Sequence, residues 1–271
     1  MSASEPRDVW VDVDASDDPQ LCVNFLDAFN NTPWLHGHKL RALDCFGPRP
    51  LGNFLEIGCG TGADAQAFAR RLMGGKVIGI DPSRTMTGAA VRRAQGKGLP
   101  IEFRTGSAYD LPFADNTFDG VYSLMTFDIL EHPPSALQEM VRVTRPGGKV
   151  MVSASDHGSL VIDAPERRLT RLLIEAFCDS MHSGWVGRQL PGLFAKSGLQ
   201  LQEVVPDTVT LHAADFPVVR QIILQNMVRA AQARSLVPET QGLAWLASID
   251  AAYRAGHFFA ASTFFVVSGI K

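Results

Sequence analysis

Two carboxylates and a glycine-rich turn are the residues whose types and spacing could bind a charged ligand. The stretch Asn53–Gly62, NFLEIGCGTG, begins as an apolar run of strand length, carries Glu56 and ends with glycines at positions 58, 60 and 62. Glycine lets a ligand approach the backbone closely, and the free amides at a helix start attract polar groups. Asp81 ends the next apolar run, where a carboxylate can accept hydrogen bonds from both hydroxyls of a ribose.

This glycine turn fits two kinds of cofactor. The segment Gly58–Ala63, GCGTGA, followed about twenty residues later by Asp81, matches the loose dinucleotide fingerprint. Glu56 lies two residues before the first glycine, where a carboxylate would face a pyrophosphate badly but would suit the ammonium group of an amino acid. The acid inside the strand therefore favours a nucleoside linked to an amino acid over a nicotinamide dinucleotide.

Several motifs in family order resemble those of the class I S-adenosylmethionine-dependent methyltransferases. The family's first motif, [LV]-[DE]-x-G-x-G-x-G, is similar to LEIGCGTG at residues 55–62. The similarity continues through GIDPS at 79–83, LPFADNTFDGVYS at 111–123, LEH at 130–132 and RVTRPGGKVMVS at 142–153. It covers about residues 54 to 155, and the later part of the chain matches the family only in outline.

The resemblance implies S-adenosyl-L-methionine as the cofactor and a set of residues that hold it. Glu56 would lie near the methionine moiety, Asp81 would hold the ribose hydroxyls, and the backbone of Leu124 would border the ammonium group. Ser107 and Ala108 would border the adenine, where many relatives carry an acid that this chain lacks. The full expected set is Arg41, Glu56, Gly58, Cys59, Gly60, Gly62, Asp81, Pro82, Ser107, Ala108 and Leu124.

Two histidines are candidates for a general base, which methyl transfer needs only if the acceptor remains protonated through attack. His157 follows the fifth predicted strand, and His132 belongs to the LEH triplet, which is generic in the family. Asp128 is a further candidate for the general base, alongside His132. His36 and His38 have no third ligand at a recognisable spacing, so no metal site is predicted.

The apolar periodicity alternates between strand and helix, which predicts an α/β, Rossmann-like fold with a mostly parallel sheet. The resemblance adds seven strands, an antiparallel last strand and a helical lid. The strands are predicted at Asn53–Gly58, Lys76–Asp81, Ile101–Gly106, Phe118–Ser123, Lys149–Ala154, Leu199–Leu211 and Gly256–Ile270. The core helices are predicted at Ala63–Leu72, Thr85–Gln95, Ser135–Thr144 and Gly187–Gly198.

A single domain is predicted over residues 21–271, after an acidic and flexible tail at 1–20. The cofactor core would occupy about residues 47–155. Lid segments would occupy 21–46, 156–185 and 212–256. The first segment reads as two helices broken at Asn30–Pro33, placed over the cofactor cleft.

Composition narrows the function and the location. A hydrophobic content of 46% supports a sizeable core, and a net charge of -3 gives no electrostatic footprint for nucleic acid. Four scattered cysteines indicate neither a disulfide framework nor a zinc site, and no stretch reaches transmembrane length free of charge. We therefore expect a cytoplasmic protein without nucleic-acid or membrane partners, and a homodimer stays open.

These features predict methyl transfer to an oxygen, nitrogen or carbon nucleophile of a small organic acceptor. One alternative is an S-adenosylmethionine-binding enzyme of the same fold with a non-methylating reaction. A nicotinamide-dependent oxidoreductase is another. A binding or scaffold protein is the remaining one, although it would need no complete set of cofactor motifs.

Overall fold

The structure is a computed structural model that describes residues 12–47 and 50–271. One mixed sheet runs through the centre of the molecule. Its strands are β1 (Phe54–Ile57), β2 (Val77–Asp81), β3 (Ile101–Thr105), β4 (Phe118–Leu124), β5 (Thr144–Ile162), β6 (Gln200–Leu211) and β7 (Ala260–Ile270). Their order is β3-β2-β1-β4-β5-β7-β6. Strands β1 to β5 pair in parallel, whereas β7 lies antiparallel to both β5 and β6. The predicted fold class is confirmed.

Helices cover both faces of the sheet. They are α1 (Pro19–Asn30), α2 (Pro33–Leu43), α3 (Ala63–Ala69), α4 (Arg84–Ala94), α5 (Pro133–Val143), α6 (Arg167–Ser180), α7 (Val186–Lys196), α8 (Phe216–Val219), α9 (Gln225–Ala233) and α10 (Glu239–Arg254). Successive strand residues point to opposite faces. Phe54 therefore packs with α2 and α3, and Leu55 packs with α5 and α7. Glu56 shares the face of Phe54, below α2 and α3.

A separate apolar cluster holds the later helices together. It joins α6, α9 and α10 to the ends of β6 and β7 around Trp245, which is 1% exposed. The indole Nε1 of Trp245 donates to Thr170 Oγ1 at 2.9 Å. Trp34 of α2 packs against the same cluster, so the first and last helical segments of the chain share one apolar contact region.

Strand β5 is longer than its predicted range of Lys149–Ala154. It continues to Ile162 because the start of β7 pairs with it, and the register shifts between Asp156 and Val161. Residues 156–162, which are predicted as the start of a lid segment, therefore belong to strand β5. A bulge of this kind re-aims the side chains next to it, and His157 lies inside it.

Within residues 12–20 of the expected flexible tail, Val13 is buried against α4, and helix α1 begins at Pro19. A 3-10 turn at Val13–Ala15 brings Asp14 to the start of α4, where the carboxylate accepts from Ser83 Oγ, Arg84 N and Thr85 N. Although partial burial opposes the shift, these hydrogen bonds lower the pKa of Asp14 to about 2. The first eleven residues of the expected tail lie outside the described residues.

Candidate functional site

The glycine turn after β1 requires glycine at all three positions. Gly58, Gly60 and Gly62 have φ angles of 73°, 48° and 77°, which strain residues that carry a Cβ. A Cβ on Gly60 would lie 2.7 Å from Leu26 Cδ2, and one on Gly58 would collide with the side chain of Thr126. The turn therefore exposes backbone in a conformation that larger residues would block.

Asp81, at the carboxyl end of β2, is bonded to this turn. Its Oδ2 accepts from Gly60 N at 2.9 Å, and its Oδ1 accepts from Ser83 N at 3.0 Å. Burial raises the pKa of Asp81, and the charge of Asp14 adds to that effect. A carboxylate has about four lone-pair positions, so Asp81 keeps about two for a ligand.

Glu56 of β1 is buried with one oxygen unsatisfied. The residue is 1% exposed, and its Oε2 has no hydrogen-bond partner among the described residues. Burial, followed by the charges of Asp64 and Asp81, raises the pKa of Glu56 well above its ordinary value, while Lys39 opposes the shift. The buried Tyr122 hydroxyl also lies beside Glu56. A buried carboxyl oxygen whose hydrogen bond is not made is costly, so Glu56 can accept from a bound cation.

Lys39 is the buried cation beside this group, and the sequence reasoning missed it. Its Nζ donates to Asn30 Oδ1 at 2.8 Å and to Asp64 Oδ2 at 2.7 Å. The signal was present, because Lys39 falls at helical spacing between Leu35 and Leu43 on the buried face of α2.

Arg41, which is predicted to hold the cofactor, is bonded to an acid of β6. Its guanidinium donates to Asp207 of β6 at 2.7 Å and 3.1 Å, and its side chain is 56% exposed. Asp207 also accepts from His38 Nδ1 at 2.7 Å, and His38 Nε2 lies 2.7 Å from Ser153 Oγ. Burial lowers the pKa of His38, so its neutral ring fastens α2 to β5 and β6.

Helix α1 lies against the glycine turn. Leu26 packs against Gly60, and Thr61 Oγ1 donates to Asp27 at 2.9 Å. Asp27 also forms an ion pair with Arg93 of α4. Helix α1 thereby covers the edge of the sheet that carries Glu56 and Asp81.

The remaining residues expected to hold the cofactor border the same edge. Ser107 is exposed, and its hydroxyl accepts from Tyr109 N at 3.1 Å, while Ala108 packs against the core below. Leu124 ends β4 at 3% exposure, and Pro82 is exposed after Asp81.

Cys59 points inward from the turn, against Gly79. Burial raises the pKa of its thiol well above the ordinary value, and the charges of Asp81 and Glu56 add to the shift. Cys59 is thus a packing residue that contributes its backbone to the turn.

On the lid side of the same edge, His157 lies within a short polar chain. Its Nε2 is 3.2 Å from Asp128 Oδ2, and its Nδ1 is 3.3 Å from Ser155 Oγ. The ring of Phe177 meets the His157 ring edge to face, with centroids 5.3 Å apart. His157 and Asp128, considered separately in the sequence, are brought together.

His132 is placed apart from this chain. It precedes α5, its side chain is 68% exposed, and its backbone N–H donates to Tyr109 Oη at 3.3 Å. The backbone of Glu131 donates to the same hydroxyl at 3.0 Å. The loop after β4 is therefore fastened to the loop after β3.

The residues at this edge fit S-adenosylmethionine. Glu56 offers an unpaired buried oxygen for an ammonium group, and Asp81 keeps free lone pairs for a ribose diol. The glycine turn supplies the cradle that any Cβ would fill. In residues 12–47 and 50–271, no group of three His, Cys, Asp or Glu side chains is arranged to hold a metal ion. The helices of those same ranges include none that is both long and apolar enough to cross a bilayer.

The known sequences that this chain matches include methyltransferases. A family model described as a methyltransferase domain matches residues 55–152. An uncharacterized 37.1 kDa protein in transposon Tn4556 of Streptomyces fradiae is 32% identical over 249 residues, covering 90% of this chain and 70% of that protein. A demethylmenaquinone methyltransferase of Renibacterium salmoninarum is 36% identical over 115 residues, covering 42% of this chain and 46% of the relative.

Solved structures share the fold. Phosphoethanolamine N-methyltransferase 2 of Haemonchus contortus, solved with S-adenosyl-L-methionine, superposes with a TM-score of 0.61 at 18% identity. The match covers 98% of this chain and 59% of that protein. At this identity the likeness supports the architecture alone.

Proposed function

The chain belongs to the class I S-adenosylmethionine-dependent methyltransferases, and we propose that it methylates a nucleophilic atom of a small organic acceptor. The observation that carries the proposal is the unpaired, buried Oε2 of Glu56 beside the glycine turn. A nicotinamide dinucleotide would bring phosphates to this turn, and their oxygens would offer no hydrogen-bond donor to Glu56. The ammonium group of an amino acid would instead donate a hydrogen bond to the unpaired oxygen of Glu56.

In this proposal each residue of the edge has a separate task. Glu56 accepts from the ammonium group, and the charge of Lys39 favours the ionised form of Glu56. Asp81 holds the ribose diol, while Ser107 and Ala108 border the adenine. Leu124 contributes its backbone. Arg41, already bonded to Asp207, fixes α2 in place instead of pairing the cofactor directly.

The cofactor, when bound, supplies a methyl group on a positively charged sulfur that is already activated for transfer. The protein must align the acceptor behind the bond that breaks and keep water away. Helix α1 lies against the turn, and in this proposal the apolar cluster of α6, α9 and α10 borders the acceptor. An enclosure of this kind favours a small, largely apolar acceptor over a polymer. The named demethylmenaquinone relative, matched over less than half of its length, supports the same size class.

Calorimetry and product mass test the proposal together. S-adenosylhomocysteine should bind the full-length protein, and NADH should not. Incubation of S-adenosylmethionine with a set of small acceptors should give a product heavier by one CH2 group. Binding of NADH in preference to S-adenosylhomocysteine would overturn the cofactor assignment. A changed acceptor without added mass would instead indicate a non-methylating reaction on the same fold.

A further inference from the structure

The polar chain of Ser155, His157 and Asp128 has a fixed direction of hydrogen bonding. An ionised carboxylate can only accept, so His157 donates from Nε2 to Asp128 Oδ2 across 3.2 Å. Its Nδ1 is then free to accept from the hydroxyl of Ser155 at 3.3 Å. Both nitrogens of a neutral ring are thereby engaged, and His157 orients Asp128 rather than facing a ligand itself.

Asp128 retains an unused oxygen. Its side chain is 8% exposed, and Oδ1 finds no hydrogen-bond partner within the described part of the chain. The backbone of the residue is also fixed, since Ser183 N donates to its carbonyl oxygen at 3.1 Å. A rigid, buried acceptor without a protein donor is available to accept a hydrogen bond from a ligand.

Aromatic side chains border the polar chain of Ser155, His157 and Asp128. Phe177 packs against the His157 ring, and Phe264 lies opposite Ser155 in the sheet register. Trp34 stacks on Phe264 with centroids 5.9 Å apart, and its own buried Nε1 has no partner among the described residues. Flat rings with isolated polar atoms between them suit a planar aromatic ligand that carries few polar groups.

We propose that the acceptor is a planar aromatic compound whose hydroxyl group donates to Asp128 Oδ1. This inference rests on the proposed methyl transfer and specifies its substrate class. A lone pair of the hydroxyl oxygen forms the new O–CH3 bond, the pair of the broken S–CH3 bond stays on sulfur, and the proton passes to the Asp128 carboxylate. A carboxylate suffices because a methylated oxygen that still carried its proton would be a strong acid.

The roles of the two residues differ. Asp128 touches the acceptor and is the catalytic residue, whereas His157 is a positioning residue that acts through Asp128. An acceptor atom without a proton, such as a tertiary amine or a thioether, would leave Oδ1 unsatisfied. The site therefore selects for a hydroxyl by the cost of an unpaired buried oxygen.

The first test compares two probes that differ only in the hydroxyl proton. Calorimetry measures the binding of 1-naphthol and of 1-methoxynaphthalene to the protein saturated with S-adenosylhomocysteine. We expect 1-naphthol to bind at least about tenfold more tightly, because only it can donate to Asp128 Oδ1. Absence of 1-naphthol binding, or equal affinity for the two probes, would overturn the proposal without any variant being made.

The second test assigns the preference to Asp128. Asp128→Asn should reduce the ratio of the two affinities to within about threefold. Asp163→Asn, an exposed acid just beyond β5, is the matched control and should keep the ratio. An Asp128→Asn ratio equal to that of the wild type would contradict the assignment.

His157→Gln tests positioning and is independent of whether Asp128→Asn folds. It should lower the ratio while leaving the dissociation constant of S-adenosylhomocysteine within about twofold, a pattern that general loss of structure would not give. His36→Gln, at an exposed position of α2, serves as its control. An unaltered ratio in His157→Gln would refute the positioning role. Failure of the wild type to bind S-adenosylhomocysteine would refute the proposed methyl transfer instead.

Discussion

Replacement of Asp81 by alanine should weaken cofactor binding by an amount that its hydrogen bonds define. Two of about four lone-pair positions are used by Gly60 N and Ser83 N, which leaves one for each ribose hydroxyl. Hydrogen bonds to a charged group contribute about 1.5–3 kcal/mol each, and the burial that raises the pKa of Asp81 reduces the gain from its charged form. We expect a net loss of about 1–3 kcal/mol, which is about a 5- to 150-fold rise in the dissociation constant.

Two variants separate the direct contact from damage to the turn. Asp81→Ala also leaves the amides of Gly60 and Ser83 without their acceptor, whereas Asp81→Asn keeps one carbonyl oxygen and should lose about half as much binding free energy. Asp163→Ala is the exposed control. Titration calorimetry with S-adenosylhomocysteine gives the constants, and thermal melts show that each variant is folded. A folded Asp81→Ala protein with an unchanged dissociation constant would refute the assigned role.

Three further predictions concern stability. The pKa of Glu56 is higher in the folded than in the unfolded protein, so the stability of the protein falls as pH rises above about 4.5. Glu56→Gln should remove this dependence of stability on pH. The melting midpoints of the variant and the wild type should therefore diverge with rising pH. Gly58→Ala should lower the free energy of unfolding in urea by about 1–3 kcal/mol, because Gly58 has a positive φ and an added Cβ would collide with Thr126. Gly192→Ala, at an open position of α7, should raise it by about 0.5–1 kcal/mol. Equal effects of the two substitutions would contradict the steric argument. Asp14→Asn should lower the urea midpoint at neutral pH. The difference from the wild type should shrink from pH 3.8 towards about pH 2, because the carboxylate of the folded protein keeps its charge down to that pH. A difference independent of pH would count against the capping role of Asp14.

The sheet could be predicted because its sequence signals are local. Each strand of the core is a short apolar run, and glycine or proline marks most ends, so the positions of β1 to β4 differ from prediction by only a residue or so. The far end of β5 could not be found this way. Residues 156–162 become strand only through pairing with β7, a contact across about a hundred positions that no local pattern records.

The site was predictable to the extent that its residues sit in motifs. The glycine turn, Glu56 and Asp81 adjoin one another at one sheet edge, as the order of strands requires. The partners of Arg41 and His157 were not predictable, because Asp207 and Asp128 come from distant segments. Lys39 was the avoidable omission, since its place on the buried face of α2 could be counted from the sequence.

The position of β7 has a consequence for synthesis on the ribosome. Strands β1 to β5 can pair as soon as they emerge, but β6 has no neighbour until β7 has been made and slides between it and β5. During the translation of residues 163–259 the nascent sheet therefore presents the open flank of β5 to solvent or to a chaperone. Mutations in β7 should thus lower the yield of folded protein during expression as well as its stability once folded.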